Sequence, residues 1–267
     1  MIPRVLTIAS SDSGGGAGIQ ADLKAIARCG GHGMSAIAAL TAQNTVGVSG
    51  IHEVPPAFVA AQVSAVLDDI GADAVKTGML FSAPIISAVA SSLSGRGLPL
   101  VVDPVMVASS GARLLRPDAV AALTDLLFPL ATVVTPNLME AQALTGLSSD
   151  FEDRAVLAER LVAMGAAAAL VTGGHGRSPV DHLYDGSAHT QIPVTRHAVA
   201  ATHGAGCTHS AAFAAGLAAG LSLPDAARQA AAIASDAVAH GLAGLGAGDG
   251  PVHALHEKLL NDRVIHH

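Results

Sequence analysis

The sequence predicts an α/β protein with a mostly parallel, doubly wound sheet and helices on both faces, forming one domain over residues 1–267. Short apolar runs bounded by Gly, Pro or Asp alternate along the chain with longer Ala-rich stretches whose apolar positions recur at helical spacing. Most of the short runs are continuously apolar, which suits strands buried on both faces. A length of 267 residues is enough for one such domain without splitting.

Taken in order, the first apolar run is Val5 to Ala9, and the loop after it opens a helix from Gly18 to Cys29. A second helix spans Pro56 to Ile70. The strand Ala74 to Lys76 lies between Asp73 and Gly78, and the helix Pro84 to Leu93 follows it. Leu100 to Val102 stops at Asp103-Pro104, and the next helical pattern runs from Pro117 to Leu127. Thr132 to Val134 stops at Thr135-Pro136, leading into helices Asn137 to Leu144 and Glu152 to Met164. After the strand Ala169 to Val171 the rhythm changes. Polar and apolar residues alternate from Asp181 to Pro193 around Asp185-Gly186, which predicts a hairpin or antiparallel edge. Helices Thr208 to Leu221 and Pro224 to His240 complete the expected order. Right-handed crossovers between the strands give the doubly wound sheet.

Composition excludes several classes of function. The chain is 51% hydrophobic, 13% charged and carries a formal net charge of -7. With no Trp, one Tyr and five Phe it lacks a stacking platform for single-stranded nucleic acid, and its acidic balance offers no basic stripe, so nucleic acid is not an expected partner. No run of eighteen apolar residues free of Gly, Pro and charge occurs, so no membrane partner is expected and a cytoplasmic location is. The two cysteines, Cys29 and Cys207, follow no CxxC spacing, which indicates neither a zinc site nor a disulfide framework. The thirteen histidines are scattered, the terminal His266-His267 pair included, and no metal is assigned to them.

In a doubly wound sheet ligands gather at the carboxyl ends of the strands. After the first strand, Ser10 to Gly18 is rich in glycine, but its spacing is not GxGxxG with an acid about twenty residues on, because position 38 is Ala. No Gly-Lys-Ser/Thr closes it either, so it is not a Walker A loop. Asp103 after the third of these strands and Asn137 and Glu140 after the fourth offer hard oxygen ligands; on a helix Asn137 and Glu140 share a face and with Asp103 could serve Mg²⁺. Alone, Asn137 would read as a helix cap and Glu140 as a first-turn acid.

Near the C-terminus, Thr202-His203-Gly204-Ala205-Gly206-Cys207-Thr208 forms a glycine turn feeding a helix. Backbone N–H groups at such a helix end can hold a phosphoryl group, and a thiol there is expected to ionise more readily than a free cysteine. Alone, Gly204 and Gly206 would simply shape a loop. An anion site and a cation site in one crevice are together the parts of phosphoryl transfer from a Mg-nucleotide.

Seven blocks in order, Gly14 to Asp22, Ala42 to Thr45, Lys76 to Leu80, Asp103 to Met106, Thr135 to Glu140, Gly173 to His175 and His203 to Thr208, resemble those of the hydroxymethylpyrimidine/phosphomethylpyrimidine kinase family. The resemblance covers nearly the whole chain. It implies a ribokinase-like fold, a homodimer, and a cytoplasmic role in thiamine biosynthesis. The implied reactions are two ATP-dependent phosphorylations, of 4-amino-5-hydroxymethyl-2-methylpyrimidine (HMP) to its monophosphate and of HMP phosphate to the diphosphate. It places substrate contacts on Ala17, Asp22, Gln43, Met79 and Val105, nucleotide contacts on Asn137, Thr172 and Gly174, and Mg²⁺ on Asp103 and Glu140. Its anion hole falls on Gly204, Ala205, Gly206 and Cys207, with Cys207 facing the reactive end of the substrate as candidate general base. An amide at position 43 suits an aminopyrimidine, since it can both donate and accept.

Two departures from the family pattern stand out. Many members carry lysine where this chain has Thr172, and Ala-Lys-Ser-Gly where it has Ala108-Ser109-Ser110-Gly111. Either Mg²⁺ carries more of the charge here or Arg113, nearby in sequence, compensates. Two other functions are compatible with the sequence: a pyridoxal or pyridoxine kinase of the same fold, and a pyrimidine-binding regulator without catalysis.

Overall fold

In the computed structural model, which describes residues 1–107, 111 and 114–256, a nine-stranded sheet runs through the molecule. The chain order is β1 (Arg4–Asp12), α1 (Gly18–Arg28), β2 (His32–Gln43), β3 (Val48–Glu53), α2 (Pro56–Asp69), β4 (Ala74–Thr77), α3 (Ala83–Leu93) and β5 (Leu100–Val102). It continues with α4 (Pro117–Ala122), β6 (Val133–Val134), α5 (Leu138–Thr145), α6 (Arg154–Ala163), β7 (Ala169–Val171), β8 (Val180–Tyr184), β9 (His189–Pro193), α7 (Ala205–Ala218) and α8 (Leu223–Ala239). The spatial order is β3-β2-β1-β4-β5-β6-β7-β8-β9. Strands β2 to β7 in that order pair in parallel, and β3 at one edge and β8 and β9 at the other are antiparallel. This is the fold class expected from the sequence.

Alternate residues of each strand feed two cores. Leu6, Ile8, Val75, Val102, Val134 and Val171 pack with buried residues of α2 to α6 on one face. On the other, Val5, Val101, Val133 and Leu170 meet buried residues of α1, α7 and α8. The second interface is alanine-rich: Ala211, Ala212, Ala214 and Ala215 of α7 and Ala226, Ala227 and Ala230 of α8 are all buried, and small side chains let these helices approach closely.

Several differences from expectation have physical reasons. Strands β2 and β3 have no counterpart among the runs read from the sequence; β2 is dominated by Gly, Ser and Ala, weak strand formers held by pairing with β1 and β3. The helix expected through Leu127 is α-helical only to Ala122, then widens into a π turn (Leu123–Leu127) and a 3-10 turn (Phe128–Leu130). Pro129 supplies no N–H and its ring crowds the preceding turn, which accounts for the change. Helix α7 begins at Ala205 rather than Thr208. Gly204, at φ 84°, caps it in the left-handed region, and a Cβ there would lie 1.8 Å from the Gly16 carbonyl oxygen. The glycine loop after β1 and the start of α7 are thereby locked together.

Strand order reverses at β1: the chain first leaves through α1 to β2 on one side and later returns to β4 on the other. The carboxyl ends of β1 and β4 therefore border the crevice where ligands of this architecture sit. Among the described residues no helix is long and apolar enough to cross a membrane.

Candidate active site

The loop after β1 is organised by a carboxylate. Asp12 accepts from the N–H groups of Gly14 (2.8 Å), Gly16 (3.0 Å) and Ala17 (2.9 Å), and its Oδ2 lies 3.0 Å from His203 Nε2. Burial alone would raise the Asp12 carboxyl, but His203 and the Gly14 and Ala17 amides outweigh it and hold the group below its ordinary range. His203 Nε2 also lies 3.3 Å from Gln43 Nε2, while Thr41 donates to Gln43 Oε1. Ala17 and Gln43, from different strand ends, are thus joined through one hydrogen-bonded group. Met79, buried just beyond β4, accepts from Ser10 Oγ at 3.2 Å and lines the same crevice from the other side. Val105 follows β5, partly exposed.

Beneath this crevice lies a charge cluster. Lys76, at the end of β4, has no exposed surface and donates from Nζ to both oxygens of Asp22 at 2.9 Å, with Asp103 Oδ2 at 3.9 Å. Burial opposes its charge, yet Asp22, then Cys207 and Asp103, hold the ammonium above its ordinary range. Asp22 also accepts from Thr7 Oγ1 at 2.6 Å and is fully buried. This corrects the expectation that Asp22 contacts substrate: its oxygens are committed to Lys76 and Thr7.

Asp103 leaves β5 towards α7, where Ser210 Oγ donates to its Oδ2 at 2.8 Å. Glu140 caps α5: its Oε2 accepts from the Asn137 N–H at 3.0 Å, and Asn137 Oδ1 accepts from the Glu140 N–H at 2.9 Å. Asn137 and Glu140 therefore do form the cap that their spacing allowed, and Glu140 does more than cap. Burial first, and then the neighbouring charge of Asp103, push the Glu140 carboxyl up to about 8. Two buried carboxyls, both raised by burial and one further raised by the other's charge, are a donor set a divalent cation would relieve. Among the described residues another cluster, Asp236, His240 and His256, also gathers three ligand atoms. There the His240 and His256 ring nitrogens are already directed at the Asp236 carboxylate, which Arg28 also pairs with at 2.6 Å. Asp103 and Glu140 fit a metal better.

The first turn of α7 completes the site. Thr208 N–H bonds to the Gly204 carbonyl at 2.9 Å and Ala205 N–H to Thr202, while helix geometry gives the Gly206 and Cys207 amides no intrahelical acceptor. The glycine turn thus leaves backbone donors without an intrahelical acceptor at the start of α7. The thiol departs from expectation. Cys207 is partly exposed as a residue, but burial of its sulfur, the largest influence, pushes the thiol up to about 12. Lys76 and the Gly18 N–H favour the thiolate, Asp22 and Asp103 oppose it, and burial prevails. In the unliganded chain Cys207 is a neutral thiol at physiological pH.

On the far side of the crevice, the Thr172 N–H bonds to Pro136 O at 3.0 Å, setting the end of β7 beside the Asn137 cap. Gly174 is exposed in the following loop. That loop is held by two guanidinium groups the sequence did not single out. Arg154 donates to the carbonyls of Thr172 and His175, and Arg196 to those of Gly173, His175, Gly176 and Ser178. Arg113 and residues 108–110, with the terminal His266 and His267, lie outside the described residues. Arg154 and Arg196 place positive charge beside the position where Thr172 replaces the family's lysine. Lys76 and His203 stood inside matched blocks without a role of their own, and Arg154 and Arg196 were not singled out, because each acts through partners distant in sequence.

Comparisons with known proteins identify the family. The phosphomethylpyrimidine kinase family matches residues 12–253. The thiamine biosynthesis bifunctional protein ThiED of Geobacter sulfurreducens is 50% identical over 264 residues, covering 97% of this chain; the chain spans only 54% of that protein's length. The hydroxymethylpyrimidine/phosphomethylpyrimidine kinase of Rhizobium meliloti is 49% identical over 94% of this chain and 96% of its own. Among solved structures, an ADP complex of Bacillus subtilis pyridoxal kinase superposes with a TM-score of 0.87 at 36% identity, covering 95% of this chain and 98% of that one. The phosphomethylpyrimidine kinase of Clostridium difficile superposes with a TM-score of 0.78 at 37% identity, covering 88% of this chain and 99% of that one.

Proposed function

The chain belongs to the phosphomethylpyrimidine kinase family, and from that premise we propose that it phosphorylates HMP, and then HMP phosphate, at the expense of ATP in thiamine biosynthesis. The observation that carries the proposal is the meeting, through Ser210 and Asp103, of the α7 first turn with the Asp103 and Glu140 carboxylates. An amide-lined anion site beside a cation site is what transfer of a phosphoryl group between two oxygens requires. In each step the acceptor oxygen forms a bond to the γ-phosphorus as the bond to the leaving ADP oxygen breaks. In the first step the acceptor hydroxyl also gives up its proton.

Asp103 and Glu140 would hold Mg²⁺, which when bound supplies charge neutralisation for the transferred phosphoryl group. The chain's own groups do the rest. Gln43, Met79, Val105 and Ala17 form the pyrimidine side, with the Gln43 amide held by Thr41 and facing His203. Thr172, Gly174 and Asn137 border the nucleotide side. The first-turn amides of Gly206 and Cys207 meet the transferred phosphate without titrating. Because Cys207 starts as a thiol, orientation and the anion hole carry the reaction in this proposal. The acceptor proton can pass to the Cys207 sulfur only where the thiol has already ionised, a form that Lys76 and the Gly18 N–H favour and burial opposes. A homodimer in the cytoplasm is part of the same proposal.

The structural likeness to pyridoxal kinases makes pyridoxal the competing acceptor. The hydroxymethylpyrimidine/phosphomethylpyrimidine kinases of Rhizobium meliloti and Bacillus subtilis, 49% and 46% identical to this chain, support the pyrimidine, whereas among solved structures a phosphomethylpyrimidine kinase at 37% and a pyridoxal kinase at 36% do not separate the two. The deciding experiment offers HMP, HMP phosphate and pyridoxal separately with Mg-ATP and identifies products by mass spectrometry. Pyrimidine mono- and diphosphate are expected; pyridoxal phosphate alone, or ligand binding without turnover, would overturn the proposal.

A further inference from the structure

The buried face of α7 is made mostly of small residues, four of them alanine, yet its second turn carries a buried histidine. His209 is 5% exposed, among neighbours that include Ala211, Ala212 and Phe213. An imidazole in such surroundings is costly unless its nitrogens are bonded. One of them is. Nε2 lies 2.9 Å from Asp181 Oδ2, so the carboxylate fixes the proton on that nitrogen. The other, Nδ1, is buried and has no hydrogen-bond partner among the described residues. Packing alone does not account for a ring kept polar and half satisfied.

Asp181 makes a second bond that gives the pair its direction. Its Oδ1 accepts from the Gly173 N–H at 2.6 Å. Gly173 opens the loop that bears Gly174, and it lies hard against β8: a Cβ added there would come within 2.5 Å of the Val180 backbone. The loop cannot move independently of β8, and Asp181 ties that junction to α7 two residues beyond Cys207. Arg154 and Arg196 hold the loop by its carbonyls, while only Asp181 and His209 connect it, by the bonds described, to the helix whose first turn faces the acceptor.

We propose that Asp181 and His209 form a positioning strut that sets the distance between the nucleotide loop at Gly173–Gly174 and the anion-binding turn of α7. His209 is then a positioning residue for the nucleotide. The inference rests on the nucleotide assignment of the 172–174 segment made above. Without the strut, the loop still forms, held by its arginines, but its register against α7 is lost, and in-line transfer is sensitive to displacements of this kind.

The test compares wild-type protein with His209→Ala and His209→Gln, whose terminal amide restores a donor near the Nε2 position. ADP affinity is read by calorimetry, steady-state kinetics with HMP give kcat and both KM values, and thermal melts report folding. The strut predicts that His209→Ala weakens ADP binding and lowers kcat/KM for ATP by about tenfold, leaves the pyrimidine KM within about twofold, and is largely rescued by His209→Gln. Unchanged nucleotide parameters with a lowered melting temperature would reduce His209 to a packing residue and overturn the proposal. Equal impairment of the Gln and Ala variants would do the same. Should the Ala variant not fold, His209→Leu fills the volume without a donor and carries the same expectations. Calorimetry with ADP does not depend on the acceptor, so failure of HMP turnover in the wild-type protein would count against the pyrimidine reading and leave the strut to be judged by ADP affinity.

Discussion

Lys76 Nζ donates to both carboxylate oxygens of Asp22 at 2.9 Å, with neither side chain exposed to solvent. The pair joins β4 to α1 under the crevice and sets the local charge for Cys207 and Asp103. A buried ion pair is not by itself a large source of stability, since desolvating both charges offsets their attraction, but removing one partner leaves the other uncompensated. Lys76→Met should therefore destabilise the fold by about 3 to 5 kcal/mol, and the double variant Lys76→Met with Asp22→Asn should recover part of that loss. Urea unfolding of the wild type and both variants checks it; a double variant less stable than Lys76→Met would contradict the pairing.

The Cys207 thiol, pushed up to about 12, should react slowly with iodoacetamide near neutral pH. The measurement uses a Cys29→Ser background, since the half-buried Cys29 is the other thiol. Burial is the main cause, but Asp103 also raises the value, so a divalent cation at Asp103 should shift the thiol downward and speed alkylation. The Mg²⁺ effect should vanish in Asp103→Asn. Fast alkylation without Mg²⁺, at the rate of a free thiol, would show that the sulfur is already ionised.

How legible the molecule was in its sequence differs between fold and site. Strands β5 and β7 were read to the residue because they are continuous apolar runs ended by Asp103 or followed by Gly173-Gly174. Strand β2 was not, because residues such as Ala36, Ala38 and Ala39 have little strand preference of their own and take that conformation from β1. At the site, the Asn137 and Glu140 cap and the Gly204 turn were visible because their residues lie within a few positions of each other. The Asp12–His203 contact spans 191 positions and Lys76–Asp22 spans 54. Burial also reversed a local expectation at Cys207, where the helix terminus favours the thiolate and desolvation outweighs it.

Glu140 gives the pH dependence that bears most directly on cation binding. Its carboxyl titrates at about 8 in the folded chain against an ordinary value of 4.5, raised by burial first and by Asp103 second. The folded state therefore holds a proton that the unfolded state has released between these values, so this group's contribution to stability falls as pH rises from about 4.5 to about 8 and levels off above. A divalent cation competes with that proton. Below pH 8 binding must displace it, and above pH 8 the carboxylate is already charged, so Mg²⁺ should raise the melting temperature more at pH 9 than at pH 6.5. Glu140→Gln keeps an oxygen able to accept from the Asn137 N–H, so α5 remains capped while the titration is removed. In that variant the melting temperature should respond less to Mg²⁺ and by the same amount at both pH values. A wild-type response to Mg²⁺ that does not change between pH 6.5 and 9 would separate Glu140 from the cation site.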